Sequence, residues 1–222
     1  IEDKPRLERR FSGAITAQLI ASMTPTLEID FTGRMDARSG RDAMWVPKLG
    51  AAWHPAGGLT IRANTGLIFR DPSFDELFFK GTGISGNPDL RPESGWHSDV
   101  GIQYRRQGAI GLKLSATGYL QVYDRLILFL PLDAFRIQAS DTLSSRVVGA
   151  ELRLRVGHQG SWVEANYHLQ SARDETDRRI PFRPTQHLTT RLGWRWDPIT
   201  AYGGLYVQDA VTSDRFGHRE IP

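Results

Sequence analysis

The sequence predicts an all-β chain, an antiparallel up-and-down meander of about ten strands of the transmembrane-barrel type. Three observations lead there. Apolar and polar residues alternate with period two in segment after segment. In Leu27–Asp36 the alternation is cleanest, with Leu27, Ile29, Phe31, Gly33 and Met35 on one face and Glu28, Asp30, Thr32, Arg34 and Asp36 on the other. The connections alternate short and long, which in a meander collects short turns at one end and long loops at the other. Finally, the charged face cannot meet lipid. One Arg at the midplane would cost roughly 2–4 kcal/mol, and carboxylates somewhat less. Four such residues on one strand would rival the about 5–15 kcal/mol that stabilises a whole domain. The charged face therefore points into a lumen or at water.

Taken in order, Glu8 to Ile20 sets Phe11, Gly13, Ile15, Ala17 and Leu19 against Ser12, Ala14, Thr16 and Gln18, and a short turn over 21–26 leads to Leu27–Asp36. Ala37 to Asp42 is a polar connection on the long-loop side. Trp45 to Trp53 returns to a tight turn at Pro55-Ala56-Gly57-Gly58. Pro47 lacks an N–H and belongs at a bulge or strand end near the long loops. Leu59 to Phe69 alternates again, and a long stretch, Phe69 to Glu93, follows. Trp96, Val100, Ile102 and Tyr104 then alternate with His97, Asp99, Gly101 and Gln103 up to a short turn at 105–108. Ile110 to Val122 is longer than the usual strand of about five or six residues. Asp124 to Ser144 reads as a long connection in which Leu126 to Leu130 extends the hairpin. Val148–Val156 and Val163–Leu169 flank a short turn at 157–161, and Ser171 to Gln186 is long, charged and proline-bearing. Leu188–Trp196 and Ala201–Gln208 flank the short 197–200, and the two faces of the last strand are not separated by pattern.

Composition narrows the function. The 28 Lys and Arg against 25 Asp and Glu leave a net charge of +3, with the arginines scattered, which excludes a nucleic-acid footprint. Without cysteine there are no disulfides or Cys-ligated metals. No apolar run approaches the roughly 18 residues of a membrane helix. A mean hydropathy of −0.38 does not argue against barrel strands, which alternate polar and apolar residues. The six histidines show no metalloprotease spacing, and GxSxG, P-loop and dinucleotide motifs are absent. No catalytic residue, metal or cofactor is therefore assigned, and the chain is read as a non-enzyme. His97 with Asp99, and Glu164 with His168 and Gln170, share polar faces and are read as lumen lining. So are Arg62, Lys113, Arg153, Arg155, Arg191, Arg195 and Glu151. Trp53, Tyr104 and Trp196 beside short turns, and Trp45, Phe69 and Trp96 beside long ones, suggest two aromatic girdles.

The stretch Phe69 to Glu93 carries a resemblance. Phe69-Arg70-Asp71-Pro72 and Asn87-Pro88-Asp89-Leu90, with Ser73-Phe74-Asp75-Glu76-Leu77 and Arg91-Pro92-Glu93 beside them, resemble the paired loop boxes of TonB-dependent outer-membrane transporters. Val46-Pro47-Lys48-Leu49-Gly50, Val148-Gly149-Ala150-Glu151-Leu152, Arg183-Pro184 and Ile221-Pro222 fit in order. The resemblance implies a 22-stranded type of barrel in the cell outer membrane, with a plug domain and a TonB-type energy-coupling partner. Residues 1–222 would be one partial barrel domain. The plug and the final strands lie outside it, and the piece is expected not to close alone. The implied cargo is a scarce bulky solute, a ferric siderophore or cobalamin-like complex. A ten-stranded outer-membrane enzyme or passive pore, and a soluble β-sandwich binding module, are the alternatives. The haem-transporting branch expects a His between the boxes, and none stands between Pro72 and Asn87.

Within this stretch, Asp71 is expected to cap a helical turn with Pro72 at its first position. Phe74, Leu77 and Phe78 then share a side. Pro88 and Pro92 hold Asn87 and Arg91 extended, and Leu90 anchors between them. Asp71, Pro72, Asn87, Pro88, Leu90, Pro92 and Glu93 are thus assigned to shaping the loop. Phe69, Arg70, Phe79 and Lys80 are the candidates for ligand contact.

Overall fold

The computed structural model describes residues 11–55, 57–133, 135–212 and 220–221. The expected strand start at Glu8–Arg10, the turn residue Ala56 and the final Pro222 lie outside the described residues. In chain order the strands are β1 (Ser12–Thr24), β2 (Leu27–Arg38), β3 (Arg41–Trp53) and β4 (Leu59–Arg70). A helical turn α1 (Phe74–Phe78) and two short strands, β5 (Lys80–Gly81) and β6 (Ile84–Ser85), come next. Then follow β7 (Glu93–Arg106), β8 (Gly111–Pro131), β9 (Ile137–His158), β10 (Ser161–Asp174), β11 (Gln186–Trp196) and β12 (Ile199–Gln208). β13 (Val211–Thr212) pairs with β14 (Glu220–Ile221).

The long strands make one sheet in the order β1-β2-β3-β4-β7-β8-β9-β10-β11-β12, every neighbour antiparallel. β1 and β12 are its two margins among the described residues. The sheet is a length of barrel wall that does not close on itself.

The register makes the alternation continuous across strands. Leu19 lies opposite Phe31, Phe31 opposite Leu49, Ile61 opposite Ile102, Leu114 opposite Leu154, and Tyr167 opposite Leu188. This apolar face is uncovered: Leu49, Ile102, Leu154 and Leu192 all stay exposed. A β-sandwich would bury such a face against a second sheet; here lipid is the partner it suits. The 12 residues of β4 span ~40 Å at about 3.3 Å each, or ~30 Å along the normal when tilted as barrel strands are. Trp53, Tyr104 and Trp196 stand outward near the short turns, and Trp45 and Trp96 outward near the other end.

Several connections differ from expectation. β1 runs through Thr24, leaving only residues 25–26 as a turn. The connection at 37–42 is not long: β2 and β3 are joined at Ser39–Gly40, with Gly40 at φ 77°, a turn conformation that glycine enters without steric cost. The stretch 124–144 is mostly strand. β8 has 21 residues and β9 has 22, so this hairpin rises well past its neighbours and length is spent as paired strand. Apart from Ser39–Gly40, the tight turns still gather at one end. The excursions 71–92 and 175–185, with the hairpin tip, gather at the other. Pro47 sits opposite Gly33 in the β2–β3 ladder, and the β3–β4 ladder stops at Lys48 opposite Gly66, since proline offers no N–H to continue it.

Buried apolar side chains cluster in two groups, both beside the long excursions. One holds Leu77, Leu90, Ile127 and Ala139, the other Leu126, Val147, Ala172 and Ile180.

Candidate functional site

The excursion from β4 to β7 is a folded unit. Ser73 is the N-cap of α1, its Oγ accepting from the Glu76 N–H at 3.2 Å while the Glu76 carboxylate accepts from the Ser73 N–H at 2.7 Å. This is a complete capping box. It corrects the expectation for Asp71, which instead pairs with Arg38 at the end of β2 at 2.7 Å. The cap falls on Ser73 because its hydroxyl, with Glu three residues on, satisfies two otherwise orphaned N–H groups. Pro72 is fully buried one residue before the cap.

Arg70 ties the unit together. Its guanidinium donates to both oxygens of Glu93 at 2.7 Å and to both oxygens of Glu76 at 2.9 Å. Glu93 is 6% exposed and also accepts from the Ile127 N–H at 3.0 Å. One arginine thus joins the last residue of β4, the helical turn and the first residue of β7. Burial by itself would raise the Glu76 carboxyl, but the hydrogen bonds from Arg70 and Ser73 outweigh it and hold the group below its usual range.

The second box closes the unit from the other side. The Asn87 side-chain Oδ1 accepts from the Asp89 N–H, and the Asn87 N–H reaches the Glu76 carbonyl. Gly86 passes so close to α1 that a Cβ there would lie 2.7 Å from the Leu77 carbonyl carbon. Leu90 is fully buried against Leu77, Ile127 and Ala139. Arg91 bonds Asp141 through its Nε and its backbone N–H, and Arg125 donates to the Pro92 carbonyl. β6 adds in parallel to β9, with Ile84 opposite Ile137.

Alternate residues of the β8 extension serve different loops. Ile127 faces the 71–92 unit, while Leu126 packs with Ala172 and Ile180 of the other excursion. The hairpin is a spine with one long loop docked on each face. Neither docking partner was legible in the sequence, because Glu93–Ile127 and Arg91–Asp141 contacts span 34 and 50 residues. The Ser73 cap had a signal, the Ser-x-x-Glu spacing to Glu76.

The four ligand-contact candidates are spread out. Phe79 and Lys80 are exposed on the outer rim of the unit, the Phe79 ring lying over Gly81. The side chain of Arg70 is committed to the two glutamates. Phe69 lines a cavity of about 900 Å³ where β3 and β4 part, with Asp30, Lys48, Asn64 and Asp99 at its charged side.

The charged face carries its own pairs. Asp99 accepts from Asn64 at 2.8 Å and lies 2.9 Å from His97 Nε2; Arg153 pairs with Glu151, and Arg155 with Glu164. Across β8, β10, β11 and β12 runs a ladder of rings. The Tyr119 hydroxyl bonds His168 Nε2 at 2.7 Å, His168 and His187 are 4.7 Å apart, and His187 and Tyr206 5.9 Å. Gly149 makes room for Tyr119, since a Cβ there would lie 2.4 Å from its ring. Among the described residues no three His, Asp or Glu side chains are grouped to hold a metal ion.

A family model described as "TonB dependent receptor-like, beta-barrel" matches residues 4–218. A vitamin B12 transporter, BtuB, from Photobacterium profundum is 26% identical over 187 residues, covering 79% of this chain and 29% of that protein. The BtuB of Vibrio vulnificus is 35% identical over 78 residues, 35% of this chain and 12% of the relative. The chain therefore spans less than a third of the length of these relatives. Among solved structures, a variant of the ferric enterobactin receptor PfeA from Pseudomonas aeruginosa superposes with a TM-score of 0.75 at 18% identity, covering 95% of this chain and 34% of that one. The ferric-catecholate import receptor Fiu from E. coli gives 0.72 at 18%, covering 92% and 35%. At such identities these likenesses establish the fold.

Proposed function

The chain belongs to the TonB-dependent receptor β-barrel family, and we propose that it is part of the wall and outer loops of an active transporter in the cell outer membrane. Its cargo is a scarce, bulky solute, a ferric siderophore or cobalamin-like complex, and its energy comes from a TonB-type partner acting through a plug. The observation that carries this reading is the division of one sheet into an uncovered apolar face and a paired, charged face, with every elaborated loop at one end. Such a sheet suits a hydrated conduit through lipid. The family's relatives, named as vitamin B12 transporters and ferric siderophore receptors, support the cargo class.

Phe79 and Lys80, exposed on the rim of the folded loop, are the proposed contacts with cargo. Phe69 lines the cavity beneath. Arg70 acts by holding the loop in shape. The charged face, with Arg153, Arg155, Glu151 and Glu164, is proposed to pack against the plug through water and ion pairs. The ten-stranded enzyme or pore is disfavoured because β1 and β12 are open margins among the described residues, and lipid does not tolerate open edges.

The test is binding of ferric chelates, haem and cobalamin to the full-length protein, followed by uptake in cells with and without the coupling partner. Saturable, energy-dependent uptake of one chelate or corrinoid is expected. Passive uptake of many small solutes would overturn the reading.

A further inference from the structure

Three arginines stand side by side on the outward face near the loop end of the sheet. Arg146 of β9 lies directly opposite Arg173 of β10. Arg179, in the excursion after β10, bridges back to Arg173. The opposite face at this level is the buried one, where Ala172, Val147 and Ile180 pack. The arginines therefore point away from the lumen side.

The register fixes the rung they occupy. Arg146 lies opposite Val122, Val122 opposite Trp96, and Trp96 opposite Leu67. The same rung thus holds an outward tryptophan of the upper girdle. The next outward rung toward the membrane is Leu120, Val148 and Ser171, and the one after holds Ala150 and Leu169. Arg146 and Arg173 are separated from the short turn at 159–160 by more than the roughly ten residues that a tilted strand needs to cross the apolar layer.

Like charges directly opposite on a sheet destabilise it, and little here offsets them. Arg173 donates to the Asp177 carboxylate and carbonyl and to Ser171. Glu175 is taken by Ser144, and Asp174 is turned onto the backbone of its own turn. Among the described residues no carboxylate pairs with Arg146 or Arg179, and both are exposed. Guanidinium groups match phosphate oxygens bidentately. At the level where an aromatic girdle marks the headgroups, the phosphate that meets them is a lipid's.

We propose that Arg146, Arg173 and Arg179 form a binding site for the phosphate of an anionic lipid headgroup, whose acyl chains lie on the apolar surface of Val148 and Leu169. The site rests on the outer-membrane reading and is independent of the cargo.

The full-length protein is reconstituted in bilayers of phosphatidylglycerol and phosphatidylcholine, and retained lipid is counted by native mass spectrometry after detergent release. The wild type is expected to retain phosphatidylglycerol over phosphatidylcholine. The R146Q/R179Q double variant, which leaves the Arg173–Asp177 pair intact, is expected to lose that preference by about tenfold. Unchanged heat-modifiable migration of the variant on gels checks its fold, and a second pair of single variants, R146K and R179K, which keep the charge and lose the bidentate fork, should keep part of the preference. Equal retention by wild type and double variant overturns the site. So does displacement of the lipid by millimolar inorganic phosphate, which would mark a free-anion site. Failure of the wild type to enter bilayers would overturn the membrane reading itself.

Discussion

Arg70 and Glu93, 23 residues apart, meet through two hydrogen bonds of 2.7 Å each and so close the 71–92 excursion at its base. Glu93 is almost fully buried. Removing its partner leaves a carboxylate short of donors, a loss of about 1–3 kcal/mol, more for a fully shielded charge. Because Arg70 is 43% exposed, the lower part of that range applies. R70A should expose 71–92 to proteolysis and raise its hydrogen exchange, while β1–β4 and β7–β12 keep their protection. An R70A loop as protected as wild type would remove Arg70 from the clamp.

Leu90 has no exposed surface and touches Leu77, Ile127 and Ala139. L90A empties that space at a cost of about 2–5 kcal/mol. The loss falls on the docking of the loop to the β8–β9 spine. Thermal unfolding of the barrel should stay where it is, while a fluorophore on Lys80 reports a mobile loop at lower temperature. Under the proposed function, cargo affinity weakens with it.

The Glu76 carboxyl, half-buried but held by Arg70 and Ser73, has its folded value below its unfolded one. Its contribution is therefore complete above the unfolded carboxylate range, near about pH 4.3, and is lost as pH falls through the lower folded value. The protection factors of the α1 amides, taken relative to intrinsic exchange at each pH, should fall below about pH 4 in the wild type. E76Q should start less protected at neutral pH and show a smaller change across that acid window. A wild-type loop whose protection is flat down to pH 2, about two units below that range, would contradict the assignment.

Gly149 lies beneath the Tyr119 ring. G149V pushes the ring away and breaks the 2.7 Å bond from Tyr119 to His168. Since both are on the charged face, the barrel should still fold, and the ultraviolet resonance Raman bands of tyrosine should shift as the Tyr119 hydroxyl loses the imidazole. An unchanged spectrum would mean that the ladder is not formed in the full-length protein.

The faces of the strands were legible because period two is a property of neighbours in sequence. Leu27–Asp36 needed nothing else. Strand ends were less so. Ser39-Gly40 is a turn signal in itself, and the short–long rhythm wrongly stretched it into a loop. The 124–144 segment lost its alternation at the register shifts near Tyr123, Leu126 and Leu128, so paired strand looked like coil. The loop boxes were visible as a unit, and the roles inside them depended on partners far along the chain. Asp71 goes to Arg38, Arg91 to Asp141 and Glu93 to Ile127. No local pattern announces such pairs. The three arginines of the outer rung are likewise 27 and 6 residues apart and become neighbours only through register.

The division of the sheet into a lipid face and a lumen face is tested most directly by alternate labelling of one strand. Single cysteines are placed at Leu152, Arg153, Leu154 and Arg155 in the full-length protein, which is embedded in bilayers and labelled with an environment-sensitive dye. The account predicts that dyes at 152 and 154 are quenched by spin-labelled acyl chains, and that dyes at 153 and 155 are quenched by aqueous iodide. Equal quenching of all four by either agent would contradict it.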